Sequence, residues 1–156
     1  MSNFYFGGNV VQDTKYVAIS GTTDNSGALS AEITTASTIT STYDIANFSG
    51  SGLITDNVRS IVVEGYAVAV TGTGGSPWTT TAEVRATMPD GSYQVINHAH
   101  DDATGNAYGS NNIILSYIPI NSNTTQISIQ LYIDGTPTSL ANIARFRICG
   151  AIQLEK

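Results

Sequence analysis

Polar and apolar residues alternate along most of this chain, and almost nowhere recur at the three-to-four spacing of a helix. In "TTQISIQLYID", Ile127, Ile129, Leu131 and Ile133 fall on one face, and Ser128, Gln130 and Tyr132 on the other. Period two with β-branched residues on one side defines a half-buried strand. "TAEVRATMPDGSYQVIN" reads as a hairpin: Ala82, Val84, Ala86 and Met88 alternate with Glu83, Arg85 and Thr87, and Pro89-Asp90-Gly91 supplies the turn. "VRSIVVEGYAVAVTG" predicts a long strand with a bulge or bend at Gly65. "NNIILSYIPI" and "IARFRICGAIQLEK" predict two more. In the last, alternation places Phe146, Ile148, Gly150, Ile152 and Leu154 on one face, with Arg145, Arg147, Gln153 and Glu155 on the other.

Toward the N-terminus the pattern weakens. "GNVVQDTKYVAIS" reads as a strand or as an arm laid across a neighbour, and "GALSAEITTASTITSTYDI" is β-prone because Thr and Ile favour extended backbone. Its Ser/Thr density fits an edge strand or a segment ordered on assembly. Turn signals divide the chain into about eight strands, which predicts an all-β fold: a single antiparallel β-sandwich of jelly-roll type. An immunoglobulin-like sandwich, with fewer strands, is the alternative. No long linker and no fixed repeat interrupts the pattern, so residues 1–156 are expected to form one domain, with residues 1–28 as an N-terminal arm or edge strand within it.

Composition narrows the function classes. Hydrophobic residues make up 41% of the 156, enough for a continuous core, while charged residues make up only 12%. That charged share is about half the usual one, and Ser, Thr, Asn and Gly take its place. A polar but weakly charged surface suits a protein in lasting contact with other subunits. Net charge is -6 and only six residues are Lys or Arg, so no basic stripe exists to release counterions from phosphates, and nucleic acid is excluded as a partner. No apolar run approaches the roughly 20 residues that span a bilayer, and the N-terminus lacks a basic-then-apolar leader, so synthesis in a cytoplasm without a membrane partner is expected. Cys149, the single cysteine, leaves no intramolecular disulfide and no cysteine-based zinc site, and reads as a small half-buried thiol in a strand.

Candidate chemistry centres on "NHAHDDATGN". Residues i and i+2 of a strand point the same way, so His98 and His100 could present both imidazoles to one metal, with Asp101 or Asp102 as a third ligand. The stretch resembles the metallo-hydrolase pattern His-x-His-x-Asp-His at His98, His100 and Asp102, but Ala103 stands where the last His belongs. The cupin pattern needs a Glu shortly after the pair and a further His, and this chain has 2 His in all. A carboxylate from the adjoining loop converges poorly on the same ion, and no second acid-base set lies nearby. The preferred reading is a polar strand-to-loop junction with no metal and no cofactor. A calcium loop built from Asp101, Asp102, Asn106, Asn111 and Asn112 is the milder alternative, against which Asx-turns explain the same residues. "TGTGGSPW" lacks the Lys of a phosphate loop, and no Gly-x-Ser-x-Gly elbow occurs, so a non-enzymatic protein is expected. Two loop aromatics, Trp78 and Tyr108, with Asn106 and Asn111 beside the latter, have the chemistry to stack on and hydrogen-bond to a sugar; packing at a subunit contact is the plainer account of them.

The closing segment "RFRICGAIQLEK" resembles the final strand of carbohydrate-binding-module-like jelly-rolls in bacteriophage virion proteins, the likeness resting on Gly150, Ala151, Ile152, Gln153, Leu154, Glu155 and Lys156. The resemblance implies a virion protein, assembled in the host cytoplasm, commonly homotrimeric, that works by binding rather than catalysis. A single domain without a fibrous shaft then fits a capsid decoration (cement) subunit whose partners are capsid or other virion proteins. The alternative it leaves is a carbohydrate- or receptor-binding module of a tail appendage, holding glycan through Trp78, Tyr108, Asn106 and Asn111.

Overall fold

In the computed structural model, residues 4–6, 9–11, 13–19, 29–32, 37–68, 80–88, 90–101, 107–109, 112–134 and 144–155 are described. Twelve strands follow in chain order: β1 (Phe4–Phe6), β2 (Asn9–Val11), β3 (Thr14–Ala18), β4 (Ser30–Glu32), β5 (Ile39–Asp44), β6 (Val58–Ala67), β7 (Thr80–Thr87), β8 (Tyr93–Asp101), β9 (Ala107–Gly109), β10 (Ile114–Pro119), β11 (Gln126–Asp134) and β12 (Ala144–Leu154). Single 3-10 turns at Ile45–Asn47 and Thr55–Asn57 join β5 to β6.

One sheet has the order β10-β6-β12-β3, with β4 also on β12, and the other runs β5-β11-β7-β8-β9. The pairing is nested: β3 lies on β12, β5 on β11, β6 on β10 and β7 on β8, every pair antiparallel. A long double ribbon that folds over on itself in this way is a jelly roll, as expected, and not the fewer-stranded immunoglobulin-like arrangement. The 1–28 segment contributes the β1–β2 hairpin and β3, which pairs with the second half of β12.

Burial follows the alternation. Ile127, Ile129, Leu131 and Ile133 of β11 are all buried, as are Ala82, Val84 and Ala86 of β7. They meet Ile61 and Val63 of β6 and Phe146 and Ile148 of β12 in one core, where the Phe146 ring stands edge-on to Tyr43 at 6.1 Å. The predicted β7–β8 hairpin closes as read, with the Met88 amide donating to the Ser92 carbonyl at 2.8 Å and Asp90 accepting from the Ser92 amide at 2.9 Å.

Three expectations need correction. Gly65 is no bulge: it pairs in register with Ile114 on one side and Phe146 on the other. It is glycine because a Cβ there would lie 2.7 Å from Cγ2 of Ile96 in the facing sheet, so the two sheets approach closely at this point. The β12–β6 ladder instead shifts register twice, between Ile152 and Gln153, where β6 carries the extra residue, and between Ile148 and Gly150, where β12 does. One extra residue reverses every face beyond it, so Ala151 and Gln153 point into the core while Ile152 and Leu154 lie outside, half-buried. Gln153 is therefore an interior residue, at 0% exposure. Its amide group donates to the Gly52 carbonyl and accepts from the Ile54 amide, both at 2.8 Å, and so ties the 49–54 connection to β12.

A third unforeseen irregularity lies in β8, where Val95 pairs with Arg85 but Asn97, not Ile96, pairs with Val84. Buried Asn97 donates to the carbonyls of Gly65 at 3.0 Å and Asn112 at 2.9 Å, which fastens β8 to the opposite sheet. Gln94 makes a similar crossing, donating to Ser116 Oγ at 2.7 Å. Strands β8 and β10 thus meet at one flank of the sandwich.

Candidate functional site

The histidines sit where the two-residue spacing placed them, both on β8 beside β7. His98 Nδ1 lies 2.9 Å from Glu83 Oε1, and His100 Nδ1 lies 2.9 Å from Thr81 Oγ1. Each imidazole is turned sideways onto its cross-strand neighbour. Among the described residues, no three His, Cys, Asp or Glu side chains come together to hold a metal ion. Asp102, Asn106, Asn111 and Trp78 lie outside the described residues, as do the side chains of Asp101, at the end of β8, and of Tyr108, in β9 in register with His100.

Glu83 also accepts from Arg85, whose guanidinium stacks on Tyr132 at 3.5 Å and reaches Tyr93 at 4.7 Å. Burial pushes the Glu83 carboxyl up, but hydrogen bonds from Arg85 and His98 outweigh it and hold the group below the usual carboxylate range. A group depressed on folding stabilises above its unfolded value and loses that contribution as pH falls through the folded one. Glu83→Gln is therefore expected to destabilise the protein by about 1.5–3 kcal/mol at neutral pH, since its side chain is only 13% exposed. Urea midpoints of the two proteins should converge as pH drops below the ordinary 4.5 of a glutamate. A constant gap down to roughly pH 2 would show that the carboxylate charge is not what stabilises this face.

The other sheet carries a recess on its outward side. This side presents Tyr16 from β3, Val62, Glu64 and Tyr66 from β6, Arg145 and Arg147 from β12, and Leu115 and Tyr117 from β10. Two adjoining hollows, of about 570 and 550 Å³, share Ser30, Glu64 and Arg147. Between them Arg147 bonds both oxygens of Glu64, Nε to Oε2 and Nη2 to Oε1, each at 3.0 Å. That guanidinium holds the Glu64 carboxyl below the usual carboxylate range, against a smaller opposing push from burial. In the first hollow Arg145 lies over the Tyr66 ring at 4.7 Å.

The second hollow is floored by Val62, which points outward yet is only 4% exposed. Tyr16 forms one wall. Its ring lies across Gly150, where a Cβ would come within 2.4–2.6 Å of Cε2, Cζ and the hydroxyl, and that hydroxyl donates to the Cys149 carbonyl at 3.0 Å. The ring is pinned against backbone on one side and remains 54% exposed. Burial, and then the Glu64 charge, push the Cys149 thiol up, which keeps it in the weakly nucleophilic protonated form. The face offers stacking and hydrogen-bonding groups with which a ligand can be held.

Nothing in the sequence had marked this face. Tyr66 and Tyr117 fall in predicted strands and Tyr16 in a segment read as a strand or an arm, but only pairing reveals that these strands share one sheet. No family model matches the chain, and no curated protein matches it.

Proposed function

We propose that the protein is a non-enzymatic accessory subunit of a bacteriophage particle, a capsid decoration protein, that self-associates and docks on neighbouring virion subunits. One observation carries the docking part. Of the eight large apolar side chains exposed among the described residues, six (Tyr93, Val95, Ile113, Ile114, Leu115 and Tyr117) lie on or next to β8 and β10. These strands meet at one flank, and the outer edge of β10 pairs with nothing among the described residues. Exposed apolar strand edges invite pairing and association, and soluble proteins that stay alone blunt them with charge. No Lys or Arg occurs between Gln94 and Gln126. The likeness of the closing strand to virion jelly-rolls and the sparsely charged surface support the same reading.

The test is mass in solution. The wild type is expected to sediment as a trimer and to bind capsids of the parent phage from which this protein has been deleted. Val95→Lys with Ile114→Lys should give a monomer that no longer binds, while Thr42→Lys, exposed on β5 across the sandwich, should change neither. A monomeric wild type that ignores capsids would overturn the assignment; binding to tails instead would relocate the subunit.

A further inference from the structure

We propose that the outward face of the β10-β6-β12-β3 sheet is a binding site for a neutral pyranose oligosaccharide, seated on Tyr16 and hydrogen-bonded by the Glu64–Arg147 pair. The site adjoins the β8/β10 edge, with which it shares Ile113, Leu115 and Tyr117, while Tyr16, Glu64 and Arg147 lie outside that edge.

Three features select the ligand. A pyranose has an apolar face of C–H groups, and an aromatic ring lying flat with one side open is its natural support. Tyr16 is such a ring, already immobilised by Gly150 beneath it and by its hydroxyl on the Cys149 carbonyl, so little side-chain freedom is lost when a ligand stacks on it. The second feature is the ion pair. Glu64 and Arg147 neutralise each other, which disfavours a charged ligand, yet the carboxylate keeps lone pairs and the guanidinium keeps N–H groups beyond the two they share. Adjacent sugar hydroxyls, each both donor and acceptor, match that mixture. The third is size and shape. From β10 to β3 is three strand spacings of about 4.8 Å, and within that width Tyr16 and Tyr117 stand on opposite sides of the Val62 floor. The adjoining hollow, with Arg145 stacked on Tyr66, extends the track past the ion pair, so a chain of two or more units fits better than a monosaccharide.

Titration calorimetry with maltotetraose, cellotetraose and chitotetraose as probes tests the assignment, with saturation-transfer NMR to identify the contacting protons. At least one probe should bind saturably. Tyr16→Ala and Arg147→Ala should each weaken it tenfold or more, Tyr16→Phe should weaken it less, and Trp78→Ala should leave it unchanged. Melting temperatures, and trimerisation as above, separate a lost site from a lost fold or a lost assembly surface. No saturable binding of any of the three up to about 10 mM would overturn the proposal. So would binding that survives Tyr16→Ala and Arg147→Ala but disappears with Trp78→Ala, which would move sugar recognition to the loops.

Discussion

Phe146→Ala should lower the unfolding free energy by about 3–5 kcal/mol. The side chain is 2% exposed and projects from β12 into the space between the sheets, where its ring meets Tyr43 edge-on at 6.1 Å. Truncation removes the burial of a whole aromatic ring and leaves a cavity that neighbours on β6 and β11, fixed in their own ladders, cannot collapse to fill. The edge-on contact adds about 0.5–1.5 kcal/mol to the loss. Urea unfolding would show this as a fall in midpoint at constant slope, and Phe146→Leu should recover part of it. A shift below about 1 kcal/mol would mean that the two sheets are not packed through this ring.

Gln153→Leu should rank next, at about 2–3 kcal/mol, because it leaves two part-buried backbone groups without their partner at about 1–1.5 kcal/mol each. The orphans are the Gly52 carbonyl and the Ile54 amide, each now 2.8 Å from the Gln153 side chain. Leucine has nearly the same volume, so packing alone predicts little change; the loss would be that of the polar anchor. Hydrogen exchange separates the two accounts. The Ile54 amide should lose its protection before the β11 amides do, as the 49–54 connection opens on its own. Unchanged Ile54 protection with unchanged stability would show that water takes over both bonds freely.

These residues also show what was legible in the sequence. Strands β11 and β7 and the turn after β7 could be read outright, since each strand has one face in the core and one in solvent, whereas the register shift inside β8 could not. β12 was placed correctly as a strand, and Phe146 correctly inward, but its second half was assigned to the wrong faces. The run Ile148-Cys149-Gly150-Ala151-Ile152 is apolar at every position, so either register satisfies it, and the choice falls to pairing with β6 and β3. That choice put a glutamine in the core and a glycine beneath Tyr16. Gly65 was noticed for the wrong reason: what it accommodates is Ile96, thirty-one positions on and in the other sheet. The histidine pair was oriented correctly by its spacing, yet the partners that occupy it, Glu83 and Thr81, belong to the neighbouring strand. The outward face with Tyr16 and Glu64–Arg147 stayed hidden altogether, because it draws on four strands scattered from residue 14 to residue 154.

Nested pairing has a consequence for how the protein is made. β3 pairs with β12 and nothing else among the described strands, and β12 also covers the full length of β6. On the ribosome, then, β3 emerges before every strand from β4 to β11 and waits for β12, while β6 keeps one edge bare and Ile61 and Val63 uncovered from that side. Contacts so distant in sequence are slow to close and leave sticky intermediates exposed in the meantime. Release of Ala144–Leu154 is the step that commits the fold, and a nascent chain stalled before it would be a substrate for chaperones rather than a half-built protein.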